Sequence, residues 1–280
     1  MKPMRKGLEN KIANSIEFLK RGENLALQMN KEGYFLAFSG GKDSQVLLWL
    51  ANQAGVKYRA YYSVTTNDPP ANVRFIRDNY HEITFLHPKE NFYKLVEKHG
   101  LPVMHKRFCC SILKETAGVG YVTLVGVRRA ESVKRQHYTD FAIISKRKEH
   151  QNQTKTLEEV TAAEHQCIKG KDKILIRPML EYTEADVWEI IEAFDLPRNP
   201  CYQHTTRVGC MFCPFVSTKQ IEMYEQMYPR AKAKIIASLA RYRSKGSYGL
   251  SAEEYYEIWK SKRSVKTYNE LKKQTTIKFE

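Results

Sequence analysis

Two adjacent glycines between apolar runs constrain this chain more than any other feature. Tyr34-Phe35-Leu36-Ala37-Phe38 reads as a short buried strand, and Gln45-Val46-Leu47-Leu48-Trp49-Leu50 as the first turns of an apolar helix. Ser39-Gly40-Gly41-Lys42-Asp43-Ser44 joins them. The glycines let the backbone turn tightly, so that successive N–H groups and the helix N-terminus can face one anion. Lys42 adds a positive charge, and the Ser39 and Ser44 hydroxyls can donate to phosphate oxygens. The G-x-x-x-x-G-K-[ST] spacing of a Walker A loop is absent, so a phosphate cradle here is of another kind. A glycine turn that merely joins strand to helix is the plainer alternative, and the complete hexapeptide in strand–loop–helix context argues against it.

Further apolar runs recur at intervals that suit an alternating α/β chain. Strands are expected at residues 58–64, 82–86, 121–127 and 174–178, with helices over 72–80, 92–99 and 111–116. Such alternation predicts a parallel sheet of about five strands with helices on both faces, and places a ligand at the carboxyl ends of the strands. Leu8, Ile12, Ile16 and Leu19 predict a helix before the first strand, giving an N-terminal helical segment over 1–30. A nucleotide-binding domain is expected over 31–218, interrupted by a polar, charge-rich insertion at 134–173. Thr183-Glu184-Ala185-Asp186 has capping-box spacing ahead of a helix whose apolar face is Val187, Ile190, Ile191 and Phe194. Residues 219–280 are expected to form a basic helical region containing Tyr242, Tyr248, Tyr255, Tyr256 and Trp259.

The chain has 280 residues, with 46 basic and 31 acidic side chains and a net charge of +15. That excess favours polyanions and makes their binding salt-dependent. Basic residues with interleaved aromatics suit a nucleic acid, and a helical bundle with lysines lying along its surface gives the same composition. No apolar run reaches membrane-spanning length, and the segment after Met1-Lys2-Pro3-Met4-Arg5-Lys6 is amphipathic, unlike a signal peptide. A cytoplasmic protein without a membrane partner is therefore expected. Six cysteines in such a reducing compartment point to metal ligation or redox chemistry ahead of disulfides.

Cys210-x-x-Cys213 can present two sulfurs to one metal centre, because a tight turn brings both to the same side. Cys109-Cys110 supplies two more, among the positive side chains Lys106, Arg107 and Lys114. Eight residues separate Cys201 from Cys210, a spacing that also allows a zinc site of Cys201, Cys210 and Cys213 completed by Cys109 or Cys110. Cys201 as a persulfide carrier and Cys201 as a plain buried thiol are the other readings; Cys167 is expected to be incidental.

In order along the chain, these pieces resemble the phosphoadenylyl-sulfate (PAPS) and adenylyl-sulfate (APS) reductase-like family of the adenine nucleotide α-hydrolase, or PP-loop, superfamily. The hexapeptide Ser39–Ser44 resembles its SGGxDS pyrophosphate loop. Cys109-Cys110-x-x-x-Lys114 and Gly209-Cys210-x-x-Cys213 are similar to the cluster ligands of its iron–sulfur members. Thr65-Thr66-Asn67-Asp68 stands where the family contacts the nucleotide, and Gly126-Val127-Arg128-Arg129-Ala130-Glu131-Ser132 resembles its G-x-R-x-x-E-S segment. Residues 177–188 and Asn199-Pro200-x-Tyr202 follow as its later motifs do.

The resemblance implies a Rossmann-like doubly wound fold. It further implies ATP, or APS or PAPS, bound by Ser39, Gly40, Gly41, Lys42, Asp43, Ser44, Thr65, Asp68, Gly126 and Arg128. Lys42, Asp43 and Arg128 would be catalytic. A [4Fe-4S] cluster, with zinc as the alternative, would sit on Cys109, Cys110, Cys210 and Cys213, with Cys201 a substitute ligand. Magnesium would bridge the phosphates from Asp43 or Asp68. The expected activity is ATP-dependent adenylation followed by sulfur transfer to a nucleic acid or small molecule. APS/PAPS reduction with an external thiol is the second reading, since no cysteine follows Cys213. A nucleic-acid-binding regulator or defence component that kept the fold is the third. The partners expected are an adenine nucleotide and, through the basic C-terminal region, a nucleic acid; a homo-oligomer is compatible with all three readings.

Overall fold

A computed structural model describes residues 4–144, 157, 173–242 and 249–263. Cys167, Tyr248 and most of the expected insertion lie outside those residues. The described chain divides into two compact units. The first comprises Met1–Ser63, Pro70–Leu86 and Glu115–Val208; the second comprises Val64–Pro69, His87–Lys114 and Gly209–Glu280. The expected boundary at 218 is not where they divide. Residues 64–69 and 87–114 belong with the C-terminal helices instead.

The first unit is α/β. Its strands are β1 (Tyr34–Ala37), β2 (Tyr58–Ser63), β3 (Thr84–Leu86), β4 (Val122–Leu124), β5 (Phe141–Ile144) and β6 (Lys173–Ile176). They form one six-stranded sheet in the order β3-β2-β1-β4-β6-β5. All neighbours are parallel except β5, which pairs antiparallel with β6, Phe141 opposite Ile176. The sheet has six strands where the sequence suggests about five, and the further one, β5, lies inside the segment expected to be a polar excursion. Its position is fixed by buried Arg177, whose N–H donates to Asp140 O at 2.7 Å and whose guanidinium donates to Thr139 O at 2.6 Å. The same guanidinium stacks on Tyr138, 4.7 Å from the ring centroid.

The helices of this unit are α1 (Lys6–Met29), α2 (Lys42–Ala54), α3 (Pro70–Asn79) and α6 (Glu184–Ala193), α4 and α5 belonging to the second unit. Helix α1 buries Leu8, Ile12, Ser15, Leu19, Gly22 and Leu25 along one stripe and packs on α2. Gly22 is required there, because a Cβ would stand 2.5 Å from the Tyr34 hydroxyl. The order 3-2-1-4 reverses direction between β1 and β4, so the loops leaving their carboxyl ends part and open a crevice.

The second unit is helical: α4 (Phe92–His99), α5 (Phe108–Leu113), α7 (Thr218–Met227), α8 (Pro229–Arg241) and α9 (Ala252–Ser261). Phe92, Leu95, Val96, Leu113, Met211, Phe212, Ile221, Ile235, Leu239 and Tyr256 make its core. Gly100, at φ +73°, lets the chain turn beneath Tyr242 and Tyr255, where a Cβ would meet the Tyr255 hydroxyl at 2.8 Å. Trp259 Nε1 donates to Pro102 O at 2.7 Å. The aromatics of the basic region that are described are thus packing residues. No helix among the described residues is long and apolar enough to cross a membrane.

Candidate functional site

The first unit carries the hexapeptide at the expected place, between β1 and α2 and beside the reversal of strand order. Gly40 has φ +76°, and a Cβ there would lie 2.4 Å from Asn72 Oδ1, so only glycine suits the turn. Asn72 Nδ2 donates to Ser39 O at 3.1 Å, and Asn199 Nδ2 donates to Gly40 O at 2.8 Å and to Asn72 Oδ1 at 2.7 Å. Carbonyls of the loop are therefore held by amides from α3 and from the turn at 199.

Within the loop the hydroxyls serve the amides. Ser44 Oγ donates to Gly41 O at 2.8 Å and accepts from Ser39 N–H at 3.1 Å. Ser39 Oγ donates to Ser44 Oγ at 3.1 Å and accepts from Gly41 N–H at 3.4 Å. The Lys42 N–H, first of α2, donates to the Tyr202 hydroxyl at 2.7 Å. Three loop amides thus meet hydroxyl oxygens, the kind of acceptor that a phosphoryl oxygen can replace.

Lys42 is 4 % exposed and Arg128 3 % exposed, a cost that burial of a cation imposes unless an anion answers it. Asp43 is that anion: Arg128 Nε donates to its Oδ1 at 2.6 Å, and Lys42 Nζ lies 3.6 Å from its Oδ2. Lys42 Nζ is also 3.4 Å from Glu184 Oε1 and lies over the rings of Trp188 and Tyr202, 5.9 and 5.4 Å from their centroids. Two cations against Asp43, with Glu184 at the exposed rim, leave the crevice suited to a further anion. Gly126, expected at the nucleotide, also has a packing part. Its Cβ would stand 2.9 Å from Asp43 O, so its backbone needs to be bare where the chain after β4 passes α2. Arg129 instead donates to Tyr138 O and pairs with Glu181.

Tyr202, Trp188, Asn72, Asn199 and Glu184 were not assigned to the loop from sequence. Tyr202, Trp188 and Asn199 do lie in short motifs of defined spacing, but spacing along the chain does not reveal what a side chain meets across the sheet. Burial raises the Tyr202 hydroxyl's pKa, against the opposing bond from Lys42 N–H, and keeps it neutral. Cys201 is buried in the same unit, with burial pushing its thiol up to about 11 and its N–H donating to Asn199 Oδ1 at 2.9 Å.

The second unit brings together Cys109, Cys110, Cys210 and Cys213, all partly buried. Asn67 organises the C-x-x-C loop: its O accepts from Met211 N–H at 2.8 Å, its Oδ1 from Phe212 N–H at 3.2 Å, and its Nδ2 donates to Phe212 O at 3.2 Å. Thr65 and Asp68, expected at the nucleotide, are placed here. Thr65 Oγ1 is 3.6 Å from Cys210 Sγ, and its N–H donates to Asp68 Oδ2 at 2.7 Å. Arg107 reaches Cys110 Sγ at 3.8 Å and lies over exposed Phe215.

A hydrogen bond from Cys110, then burial and the charges of Cys110, Cys210 and Cys213, push the Cys109 thiol up. Burial pushes Cys210 up against the opposing charge of Lys114. Lys114 is exposed as a residue, yet its ammonium answers to Cys210 first and then to Asp68 and Cys110, which raise its pKa against the cost of burial. Lys262 donates to Pro214 O and Val216 O beside the pair. The donor set suits a thiolate-bound metal centre: four sulfurs in mutual electrostatic contact, with ammonium and guanidinium groups to offset their charge. Among the described residues no three His, Cys, Asp or Glu side chains enclose a single metal ion.

A family model, the phosphoadenosine phosphosulfate reductase domain, matches residues 33–216. Among curated proteins, MJ0973 of Methanocaldococcus jannaschii, described as uncharacterized, is 25% identical over 249 residues, 85% of this chain and 54% of that protein. Adenosine 5'-phosphosulfate reductase of Burkholderia cepacia is 28% identical over 152 residues, 49% of this chain and 51% of that enzyme. The chain spans about half the length of the curated relatives it matches. Among solved structures, Candida glabrata FMN adenylyltransferase in complex with FAD and inorganic pyrophosphate shares 14% identity at a TM-score of 0.48, over 75% of this chain and 67% of that one.

Proposed function

The chain belongs to the phosphoadenosine phosphosulfate reductase domain family, and from that premise we propose that it is an enzyme of sulfur metabolism that binds ATP at Ser39–Ser44 and uses it to adenylate a sulfur acceptor. The observation that carries this reading is the convergence, at the β1/β4 crevice, of the α2 N-terminus with two buried cations, Lys42 and Arg128.

The chemistry follows from the charges. Attack of an acceptor oxygen on the α-phosphorus forms a P–O bond and breaks the bond to the bridging oxygen, so negative charge accumulates on the departing pyrophosphate. Loop amides and the α2 dipole stabilise that charge most where it develops, and Lys42 and Arg128 offset it. Asp43 sets the direction of both cations, since each contacts one of its oxygens. A magnesium ion on Asp43 would have to displace one of them. Cys109, Cys110, Cys210 and Cys213 would hold a [4Fe-4S] cluster, with zinc the alternative metal. When bound, the cluster would supply the sulfide that displaces AMP from the adenylated acceptor, the new bond to sulfur forming as the bond to the AMP oxygen breaks. Arg107, Lys114 and Lys262 would offset its negative charge, and Asn67 would fix the spacing of the second thiol pair.

A second reading, in which APS or PAPS is bound and reduced by an external thiol, is favoured by the match to the Burkholderia cepacia reductase. Anaerobic incubation with ATP plus a sulfide source, or with APS or PAPS plus a thiol, separates the two. Pyrophosphate release from ATP is expected, lowered at least a hundredfold by Lys42→Ala. Sulfite from the sulfonucleotides would replace the first reading with the second, and neither product would remove both. The anaerobically purified protein is expected to be brown; a colourless protein with stoichiometric zinc would overturn the cluster.

A further inference from the structure

We infer that Tyr202 is a further residue of the nucleotide site, a place-holder whose hydroxyl takes the position of a phosphoryl oxygen at the head of α2 until the nucleotide arrives. The inference rests on the reading of Ser39–Ser44 as the nucleotide loop.

Lys42 is the first residue of α2, so its N–H has no acceptor inside the helix. Gly41, the N-cap, has no side chain to offer one. The Tyr202 hydroxyl fills that need at 2.7 Å. The hydroxyl lies close over Gly41, where a Cβ would stand 3.3 Å from it. The ring is held at its position from three sides. Trp188 meets it edge-on at 5.1 Å, the Lys42 ammonium lies 5.4 Å from its centroid, and the turn Pro200–Gln203 is capped by Asn199, which also grips Gly40 O. Tyr202 is therefore built into the loop. A neutral hydroxyl is nevertheless the weaker acceptor for an amide at a helix N-terminus, where an anion is favoured. A phosphoryl oxygen replaces it, and the ligand must break the Lys42–Tyr202 bond to do so.

Calorimetry with inorganic pyrophosphate tests this on the full chain. Tyr202→Phe keeps the ring and removes the competing oxygen, and should bind pyrophosphate about five-fold more tightly than wild type, the scale of one neutral hydrogen bond. Without ligand, the Lys42 amide should exchange faster in Tyr202→Phe. Equal or weaker binding by the variant, with wild-type binding intact, overturns the place-holder alone. No binding by either protein overturns the nucleotide loop and the place-holder with it. If the variant fails to fold, the wild type still decides: Lys42 amide and Tyr202 ring resonances should shift together on pyrophosphate addition, and a Tyr202 ring unmoved beside bound pyrophosphate overturns the proposal.

Discussion

Gly126 shows how a residue that a motif singles out in sequence can also carry a packing demand. Its motif marks it as a nucleotide contact, and its backbone also passes so near α2 that a methyl group would press on Asp43 O at 2.9 Å. A main-chain carbonyl inside a helix cannot step aside as a side chain can, so overpacking is relieved by moving α2 or the chain after β4. Gly126→Ala is expected to cost about 1–3 kcal/mol by denaturant titration. It should also weaken pyrophosphate binding, because the shift falls on Asp43 and hence on Lys42 and Arg128. A variant of wild-type stability would mean the approach is looser than the geometry states. The hexapeptide itself was legible because strand, loop and helix are contiguous. Tyr202 was not, since its meeting with Lys42 joins residues 160 positions apart.

Local order explains what was legible among the elements as well. The capping box at the head of α6 is readable because Thr183 and Asp186 are three residues apart, and both of its bonds form, Asp186 N–H to Thr183 Oγ1 at 3.1 Å and Thr183 N–H to Asp186 Oδ2 at 2.8 Å. What spacing could not tell is that Asp186 also holds α1, through Lys11 Nζ at 2.7 Å and Arg5 at 2.8 Å. Strand β5 escaped notice for a related reason: four apolar residues amid charged ones become a strand only by pairing with β6. Burial works against ionisation of Asp186, but hydrogen bonds from Lys11 and Thr183 outweigh it and hold the carboxyl below its usual range. A depressed folded-state pKa contributes stability that is present above the unfolded value, about 3.9, and is lost as pH falls through the folded one. Asp186→Asn should therefore cost about 1–2 kcal/mol at pH 7, the sum expected of a cap and a partly exposed ion pair, and flatten the loss of stability below about pH 4. Melting curves of both proteins from pH 2 to 7 decide it, and parallel curves would deny Asp186 this part.

At the scale of the molecule, the most consequential choice that the sequence leaves open concerns residues after 218, where a nucleic-acid surface and a helical bundle share one composition. Composition marks them as a basic appendage that could be a separate nucleic-acid module, with tyrosines and a tryptophan free to stack on bases. Their described part instead completes a core. Ile221, Ile235, Leu239 and Tyr256 close over Met211 and Phe212, the two residues between Cys210 and Cys213, while Lys260 pairs with Glu225 and Glu257 over the Tyr256 ring. Periodicity revealed the helices but not their partner, because an apolar stripe states only that something covers it. The C-x-x-C loop is thus anchored by fully buried Phe212, whose core includes helices beyond the stretch that matches the family, with Tyr256 edge-on to its ring. Ending the chain at residue 218 should leave that seat open and the four thiols without a fixed geometry, so the fragment is expected to aggregate or to melt without cooperativity. In the full chain Ile235→Ala should cost about 2–5 kcal/mol, the range for emptying a buried aliphatic site, and should speed alkylation of Cys210 and Cys213 relative to wild type. A soluble 1–218 fragment with a cooperative transition and wild-type thiol reactivity would return the C-terminal helices to the status of an appendage.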